Sequence, residues 1–212
     1  MFFFCFILTI LFINIQNLYF YKMNKISIFA SGNGSNAENI IVYFSKSKIV
    51  KVALILTNNS KALVINKANK YNIPILILKK DEFNNQDIIL EILKNFQISF
   101  IVLAGFLLKV PSFLISKFKD SIINIHPSLL PKHGGEGMYG DKVHESVLKN
   151  RELISGITVH FVDEFYDHGE IISQKTFKIE DNDTIETVKN KVKRLEKKYF
   201  PIIIESVLVK LW

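Results

Sequence analysis

The stretch NIHPSLLPK places an amide and an imidazole at the end of an apolar segment. Asn124 and His126 are two residues apart, so in an extended strand both side chains project from the same face. An amide N–H beside an imidazole can stabilise a carbonyl oxygen that becomes an oxyanion, and loss of one such donor typically costs about 3 kcal/mol. Pro127 and Pro131 stiffen the following chain whether the site is catalytic or not. The pattern therefore predicts either a carbonyl-transforming site or a turn Asn with a structural His.

Asp167, in the segment FYDHGE, is the candidate partner of His126. It lies in a predicted turn between two strands, where Asp and Gly are common without any catalytic role. If the fold brings its carboxylate to the imidazole, the negative charge favours the protonated ring and fixes its orientation. A catalytic role for Asp167 therefore depends on a long-range contact.

The segment SGNGSN, residues 31–36, follows a predicted strand and opens a predicted helix. Gly32 and Gly34 permit a tight turn, and the helix N-terminus offers unpaired N–H groups to an anion. The segment is not a dinucleotide fingerprint, because Ala37 stands where the third Gly is expected, and it lacks the Gly-Lys-Ser/Thr of a P-loop. We interpret it as a phosphate site; a plain Gly-rich connection with a polar helix cap is the alternative.

Short apolar strands alternate with helical patterns along most of the chain. Five strands are predicted at 25–30, 51–57, 74–78, 99–105 and 121–126, and two more at 155–164 and 169–179. The pattern predicts an α/β fold: a Rossmann-like, mostly parallel sheet with helices on both faces, extended by antiparallel strands. In such a sheet ligands bind beyond the carboxyl ends of the strands, and this edge receives the turn at 31–36, the AGFLLKVP stretch at 104–111 and the NIHP stretch at 124–127.

Two helical segments carry more detailed expectations. DEFNNQDIILEILKNF predicts one helix whose apolar face includes Ile88, Ile89, Ile92 and Leu93. The C-terminal segment from residue 183 predicts a helix that begins at an Asp183 cap and is interrupted at Phe200–Pro201.

The amino-acid composition limits the classes of binding partner that we expect. The net charge is +7, yet all but two of the 27 basic residues are lysines. Because nucleic-acid grooves usually depend on Arg, we attribute the charge to a coding bias and expect no nucleic-acid partner. One Cys excludes a disulfide framework, and with five His it gives no metal-ligand spacing, so no metal is expected.

Residues 1–22 form a hydrophobic N-terminal extension that is long enough to span a bilayer. No basic residue precedes the apolar run and no cleavage site is evident, so it does not match a secretory signal. Met23 opens a segment with the pattern of a complete start for a soluble α/β domain. We therefore expect that the start codon has been assigned too far upstream. An anchor with Lys22 and Lys25 on the cytoplasmic side is the alternative, and membrane contact is expected only if residues 1–22 are translated.

Four segments together carry a family resemblance: SGNGSNAENII, VLAGFLLKVP, NIHPSLLPK and GITVHFVDEFYDHGEII. They resemble the folate-dependent phosphoribosylglycinamide formyltransferases of purine biosynthesis, from about Met23 to the C-terminal helix. The resemblance implies a formyltransferase domain at 23–212 that moves the formyl group of 10-formyltetrahydrofolate, its co-substrate, to the amine of 5'-phosphoribosylglycinamide. It also implies small-molecule substrates and a cytoplasmic enzyme; it does not give the oligomeric state.

The resemblance assigns roles position by position. The implied catalytic residues are Asn124, His126 and Asp167. The positions implied for glycinamide ribonucleotide are Gly34, Ser35, Asn36 and Glu196. Those implied for the folate are Leu107, Leu108, Lys109, Val110 and Asn124. Leu107 and Leu108 depart from the Met-Arg of many relatives, and the loop 132–142 differs from a shorter run, so folate contacts and a lid role stay open.

Two related enzyme classes share the Asn, His and Asp pattern. Methionyl-tRNA formyltransferase has an additional C-terminal domain, and formyltetrahydrofolate deformylase has an additional N-terminal domain. The length of this chain therefore argues against both classes. A nucleotide-binding module without activity is the non-enzymatic alternative, and the presence of all three polar residues argues against it.

Overall fold

The computed structural model describes residues 23–210. The expectations for residues 1–22 lie outside this range. The strands are β1 Asn24–Phe29, β2 Val50–Thr57, β3 Ile75–Ile77, β4 Phe100–Leu103, β5 Ile122–His126, β6 Ile154–Phe161 and β7 Ile171–Lys178. The helices are α1 Ser35–Phe44, α2 Val64–Lys70, α3 Lys80–Asn84, α4 Gln86–Asn95, α5 Ser112–Lys117, α6 Asp141–Lys149 and α7 Ile185–Lys210. Within residues 23–210, no helix has both the length and the apolar character needed to cross a bilayer.

All seven strands join one sheet in the order β3-β2-β1-β4-β5-β6-β7. The pairs from β3 to β5 are parallel, whereas β5–β6 and β6–β7 are antiparallel. The predicted fold class is therefore confirmed. The strand order reverses direction between β1 and β4, and this switch point is where α/β sheets open a crevice for ligands.

Both faces of the sheet are covered, as the continuous apolar strands predict. On one face Ile26 and Ile28 of β1 pack in a cluster that includes residues of α1, α2 and α7. On the other face Phe29 packs with residues of α3, α4 and α5. The alternation of side chains along β1 thus supplies two separate cores and holds the strand ends in fixed register.

The predicted single helix over DEFNNQDIILEILKNF is wrong, because the chain forms α3 and α4 with a break at Asn85. Asn85 has extended backbone angles, and its side-chain oxygen accepts hydrogen bonds from the N–H groups of Asp87 and Ile88. An Asn side chain that satisfies a helix N-terminus starts a new helix there. The break also turns Ile88 outward, where it is 39% exposed.

The predicted interruption of the C-terminal helix at Pro201 is also wrong, since α7 continues through it. Proline has no N–H, so the carbonyl of Lys197, four residues earlier, loses its helical donor. Asn39 of α1 donates its side-chain N–H to that carbonyl at 2.8 Å. The helix begins one residue later than expected, with reciprocal hydrogen bonds between Thr184 and Thr187.

Candidate active site

A cavity of about 660 Å³ lies at the carboxyl ends of β1, β4 and β5, a size typical of small-molecule sites. All the predicted site residues line it: Gly34, Ser35, Asn36, Leu107, Leu108, Lys109, Val110, Asn124, His126, Asp167 and Glu196. The fold therefore brings together the three segments that the sequence singles out.

Asn124, His126 and Asp167 form one hydrogen-bonded cluster. Asn124 and His126 leave the same face of β5, and Asp167 reaches them from the loop between β6 and β7. Asp167 Oδ1 accepts from Asn124 Nδ2 at 3.3 Å, and Asp167 Oδ2 lies 3.3 Å from His126 Nδ1. The predicted contact between the carboxylate and the imidazole is present in the structure.

Asp167 is held in place by its backbone as well as by its side chain. It has a φ of 58°, a left-handed conformation that Asp adopts more readily than most residues. The N–H of Gly135 donates to its Oδ2 at 2.9 Å. A Cβ atom at Gly134 would lie 3.2 Å from the Asp167 Cβ, so the neighbouring loop passes close to the carboxylate.

His160 completes the cluster from β6, where it is the cross-strand neighbour of Asn124. Its Nδ1 lies 2.7 Å from the carbonyl of Phe161, and its Nε2 lies 3.1 Å from Asn124 Nδ2. Since a carbonyl can only accept, these partners assign the proton of the neutral ring to Nδ1. Nε2 of the neutral ring then accepts from Asn124, which orients the amide with its nitrogen toward Asp167. The same Nε2 lies 3.6 Å from Asp167 Oδ1, so the protonated ring can donate to that carboxylate.

The charges of the cluster respond to burial and to each other. Burial lowers the pKa of His126 below its ordinary value, although the Asp167 carboxylate and the His133 carbonyl act to raise it. The Asp167 carboxylate thus favours the protonated ring as expected, but desolvation of a ring that is only 3% exposed is the larger effect. Burial also acts to raise the pKa of Asp167, but His160, His126 and the Gly135 N–H together lower it.

At the opposite end of the cavity, the turn before α1 presents backbone N–H groups. Gly34 is the N-cap of α1, with a φ of 67°, and a Cβ atom there would lie 2.5 Å from Val64 Cγ2. The turn is tied to the adjacent wall by Ser31, whose Oγ accepts from the N–H of Leu107 at 2.9 Å. Glycine is thus required by conformation and by space, and the first residues of the helix line the cavity.

Glu196 approaches this turn from α7. Its side chain is partly buried, and burial raises its pKa while interaction with Asn36 lowers it, with a net increase. A carboxylate beside a helix N-terminus suits hydroxyl groups of a bound sugar better than it suits a phosphate, because like charges repel.

The segment Leu107–Val110 forms the wall between two cavities. It lines the 660 Å³ cavity and also a neighbouring one of about 680 Å³, which includes Lys80 and Tyr166. Val110 is buried, whereas Leu107 is 49% exposed, and Lys109 Nζ lies 6.0 Å from the centre of the Tyr166 ring. The wall therefore offers mainly apolar side chains and backbone groups to a flat ligand.

Several residues in the site are not singled out by the sequence. His160 is one of them; it becomes a neighbour of Asn124 only through the register of β6 with β5. Ser31, His133 and Gly135 act through hydrogen bonds that no spacing rule indicates. Among residues 23–210, no group of three or more His, Cys, Asp or Glu is arranged to hold a metal ion.

Comparison with known proteins agrees with this geometry. Residues 24–204 match the formyl transferase family. The chain is 35% identical to "Phosphoribosylglycinamide formyltransferase" of Bacillus subtilis, over 88% of this chain and 95% of that protein. It is also 35% identical to "Phosphoribosylglycinamide formyltransferase, chloroplastic" of Vigna unguiculata, but it spans only 61% of that protein's length.

The fold is shared with solved structures of proteins carrying the same name. The phosphoribosylglycinamide formyltransferase of Bacillus halodurans aligns with a TM-score of 0.80 and 33% identity, covering 89% of this chain and 97% of that one. That of Anaplasma phagocytophilum aligns with a TM-score of 0.81 and 28% identity, covering 89% of each chain. The chain therefore belongs to the formyl transferase family and, within it, to the phosphoribosylglycinamide formyltransferases of purine biosynthesis.

Proposed function

We propose that this chain transfers the formyl group of 10-formyltetrahydrofolate to the amine of 5'-phosphoribosylglycinamide, giving the N-formyl ribonucleotide and tetrahydrofolate. The observation that carries the proposal is the single cavity that joins the turn before α1 to the Asn124, His126 and Asp167 cluster. A helix N-terminus, which can bind an anion, and a cluster of polar side chains suited to acyl transfer both line this cavity, and this supports the proposal.

The nucleotide would bind between α1 and α7. N–H groups of the turn Gly34–Asn36 would hold the phosphate, and Glu196 would accept a hydrogen bond from the ribose. The folate would lie against Leu107–Val110, with its formyl group directed at Asn124. This arrangement brings the amine and the formyl carbon together, which accounts for a large part of the rate of a two-substrate reaction.

In the chemical step, the substrate amine attacks the formyl carbon and an oxyanion forms. Asn124 Nδ2 and His126 Nδ1 each lie 3.3 Å from Asp167, a long separation for a hydrogen bond. Each donor can therefore turn toward the stronger charge of the oxyanion, as catalytic hydrogen bonds do when substrate binds. Because burial lowers its pKa, protonated His126 is a stronger acid than an ordinary imidazolium.

Asp167 would move the proton. Its lowered pKa keeps it ionised near neutrality, so it can accept the proton released by the attacking amine, through a water molecule. It would then return that proton to N10 of the folate as the C–N bond breaks. The amine gains the formyl group and loses one proton, and N10 gains that proton, so no other reactant is required.

The test follows the folate and the ribonucleotide separately. With the full chain, we expect 10-formyltetrahydrofolate to be consumed only when 5'-phosphoribosylglycinamide is present, with one N-formyl ribonucleotide formed per tetrahydrofolate. Consumption of the folate without the nucleotide would identify a hydrolase instead. No turnover by a folded protein with both substrates present would overturn the proposal.

We also propose a cytoplasmic enzyme with no nucleic-acid partner. The support for this is the scarcity of Arg and the single Cys in the sequence. Fractionation of cells that express the full chain tests it, since recovery in the membrane fraction would contradict the cytoplasmic assignment.

A further inference from the structure

The turn from His133 to Gly135 contacts both members of the buried His126–Asp167 pair. The carbonyl of His133 lies 2.8 Å from His126 Nε2, and the N–H of Gly135 donates to Asp167 Oδ2 at 2.9 Å. One short piece of backbone thus supplies an acceptor to the imidazole and a donor to the carboxylate.

The His133 carbonyl determines which nitrogen of His126 faces Asp167. A carbonyl can only accept, so Nε2 must carry a proton whatever the charge of the ring. Nδ1 is then the nitrogen that gains or loses a proton, and it is the one 3.3 Å from Asp167 Oδ2. If the carbonyl moved away, the neutral ring could place its proton on Nδ1 and rotate from this orientation.

The position of that carbonyl depends on the His133 side chain. His133 has a φ of 56°, a left-handed conformation that is uncommon outside Gly and in which Asn, Asp and His are enriched. Its ring is anchored on both sides, with Nδ1 2.8 Å from Ser146 Oγ and Nε2 3.2 Å from Glu152 Oε1. Lys132 in turn holds both oxygens of Glu152 at 3.0 Å.

These anchors do not belong to the wall of the cavity. Neither His133 nor Ser146 nor Glu152 is among the residues that line it. The His133 side chain is 9% exposed and contacts α6 and the segment after it. A network of this kind has no direct contact with a bound substrate, so its effect must pass through the backbone.

We propose that His133 is a positioning residue for His126. Its side chain, fixed by Ser146 and Glu152, holds the backbone carbonyl against Nε2, and this selects the tautomer and the orientation of the catalytic ring. The inference rests on the proposed function for its kinetic consequence, but the ring tautomer can be measured without any substrate.

The principal test uses His133→Asn in the full chain. Asn tolerates the left-handed backbone but is too short to reach both anchors, so it separates the ring from the φ angle. We expect kcat to fall about tenfold to a hundredfold, as misplacement by a fraction of an ångström does, with the KM for each substrate changed less than about twofold. Two-bond 1H–15N NMR of the free protein should show His126 as the Nε2–H tautomer in the wild type and as a mixture in the variant.

A second pair of variants repeats the test one contact further away. Glu152→Ala removes one anchor, whereas Glu152→Gln retains an oxygen that accepts from His133 Nε2 and serves as the matched control. We expect the Ala variant to show the same NMR change in weaker form and the Gln variant to match the wild type. This pair decides the matter if His133→Asn fails to fold.

The outcomes separate the two proposals. Loss of the single His126 tautomer in His133→Asn or Glu152→Ala supports the positioning role. Unchanged His126 signals overturn it, whether or not kcat falls. If the wild type transfers no formyl group, the proposed function fails, while the NMR measurement still decides whether His133 positions the ring.

Discussion

At the catalytic end of the cavity, the polar groups are buried side chains with several partners each. His126 and His160 are 3% and 2% exposed, and Asp167 receives contacts from β5, from β6 and from the turn after His133. At the end proposed to bind the nucleotide, which we call the nucleotide end, the turn before α1 offers backbone N–H groups, and Ser35 is exposed. At the catalytic end, a network of side chains orients the polar groups. At the nucleotide end, the backbone conformation of the turn orients the N–H groups.

The difference follows from the task of each end. A phosphate is charged before and after the reaction, so a helix N-terminus can bind it without any change of protonation. A developing oxyanion and a moving proton need donors that are held in place but can exchange partners. Substitutions at the two ends should therefore change different kinetic constants.

The largest effect is expected for Asp167→Asn. The amide cannot accept the amine proton, and it would place a second N–H group against Asn124 or Gly135. We expect kcat/KM to fall by about a thousandfold or more, as when a carboxylate that orients a catalytic His is replaced, with little change in nucleotide binding. Product formation and nucleotide titration measure the two quantities.

Asp120→Asn is the matched control for this variant. Asp120 also has a left-handed φ, of 55°, but it lies before the amino end of β5, whereas the site lies at the carboxyl end of that strand. A similar loss of activity in both variants would mean that the backbone conformation of Asp, and not the carboxylate at the site, is responsible.

At the nucleotide end, Gly34→Ala should weaken both the fold and the binding of the nucleotide. Its Cβ would lie 2.5 Å from Val64 Cγ2 and 2.9 Å from the Val64 backbone, at a φ of 67°. We expect the free energy of unfolding to fall by about 1–3 kcal/mol and the nucleotide KM to rise about tenfold. Denaturant unfolding and steady-state kinetics measure these changes.

Gly32→Ala provides the comparison, because a Cβ atom there would meet no heavy atom within 4 Å. It should leave both quantities near their wild-type values. An equal rise in KM for the two variants would argue against the specific backbone geometry of Gly34.

The sequence predicts the nucleotide end more completely than the catalytic end. Gly34 and the helix that follows are local features, and local spacing reveals them. The position of His160 beside Asn124 depends on the register of β5 with β6, and the contact from His133 depends on a left-handed residue in a loop. Neither follows from hydrophobic period or propensity.

The same distinction between local and long-range features explains the wrong prediction at Pro201. The continuity of α7 through Pro201 depends on Asn39, which is remote in sequence and supplies the missing donor. The reduced pKa of His126 depends on how deeply the fold buries it, whereas the sequence indicates only the adjacent charge. The fold class was predictable because it follows from the alternation of strands and helices.

Glu196→Gln should separate binding from stability at the nucleotide end. We expect the nucleotide KM to rise about threefold to tenfold at neutral pH, since an amide oxygen is a weaker acceptor than a carboxylate, with kcat nearly unchanged. Because burial raises the folded-state pKa of Glu196 above its unfolded value, the charged form opposes folding above both pKa values. The variant should therefore be more stable than the wild type at pH 7, by about 2 °C in Tm.

The pH dependence provides the control for this variant. Below both pKa values Glu196 is protonated in the folded and unfolded chains alike, so the gain in Tm should disappear in acid. Acidification should also raise the nucleotide KM of the wild type at a higher pH than an ordinary Glu would, and not in the variant. A constant difference in Tm across this range would contradict a buried, ionised Glu196.

The smallest effect is expected for Glu38→Gln, at the surface of α1. Glu38 contacts Lys67 and Lys70 at 3.0 Å each, and the hydrogen bonds of Lys70 and Lys67, together with the charge of Lys67, lower its pKa to about 2. The folded-state pKa lies below the unfolded value, so the contribution to stability is present above about pH 4.5 and is lost as the pH falls toward 2. Because these ion pairs are accessible to solvent and salt, we expect the free energy of unfolding of the variant to fall by less than about 1 kcal/mol at pH 7.

Denaturant unfolding at pH 7 and pH 3, in low and high salt, measures this change in stability. An unchanged nucleotide KM would show that Glu38 supports the helix without contributing to its N-terminal site. A rise in KM comparable to that of Glu196→Gln would place Glu38 in the site and extend the side-chain contribution to the nucleotide end.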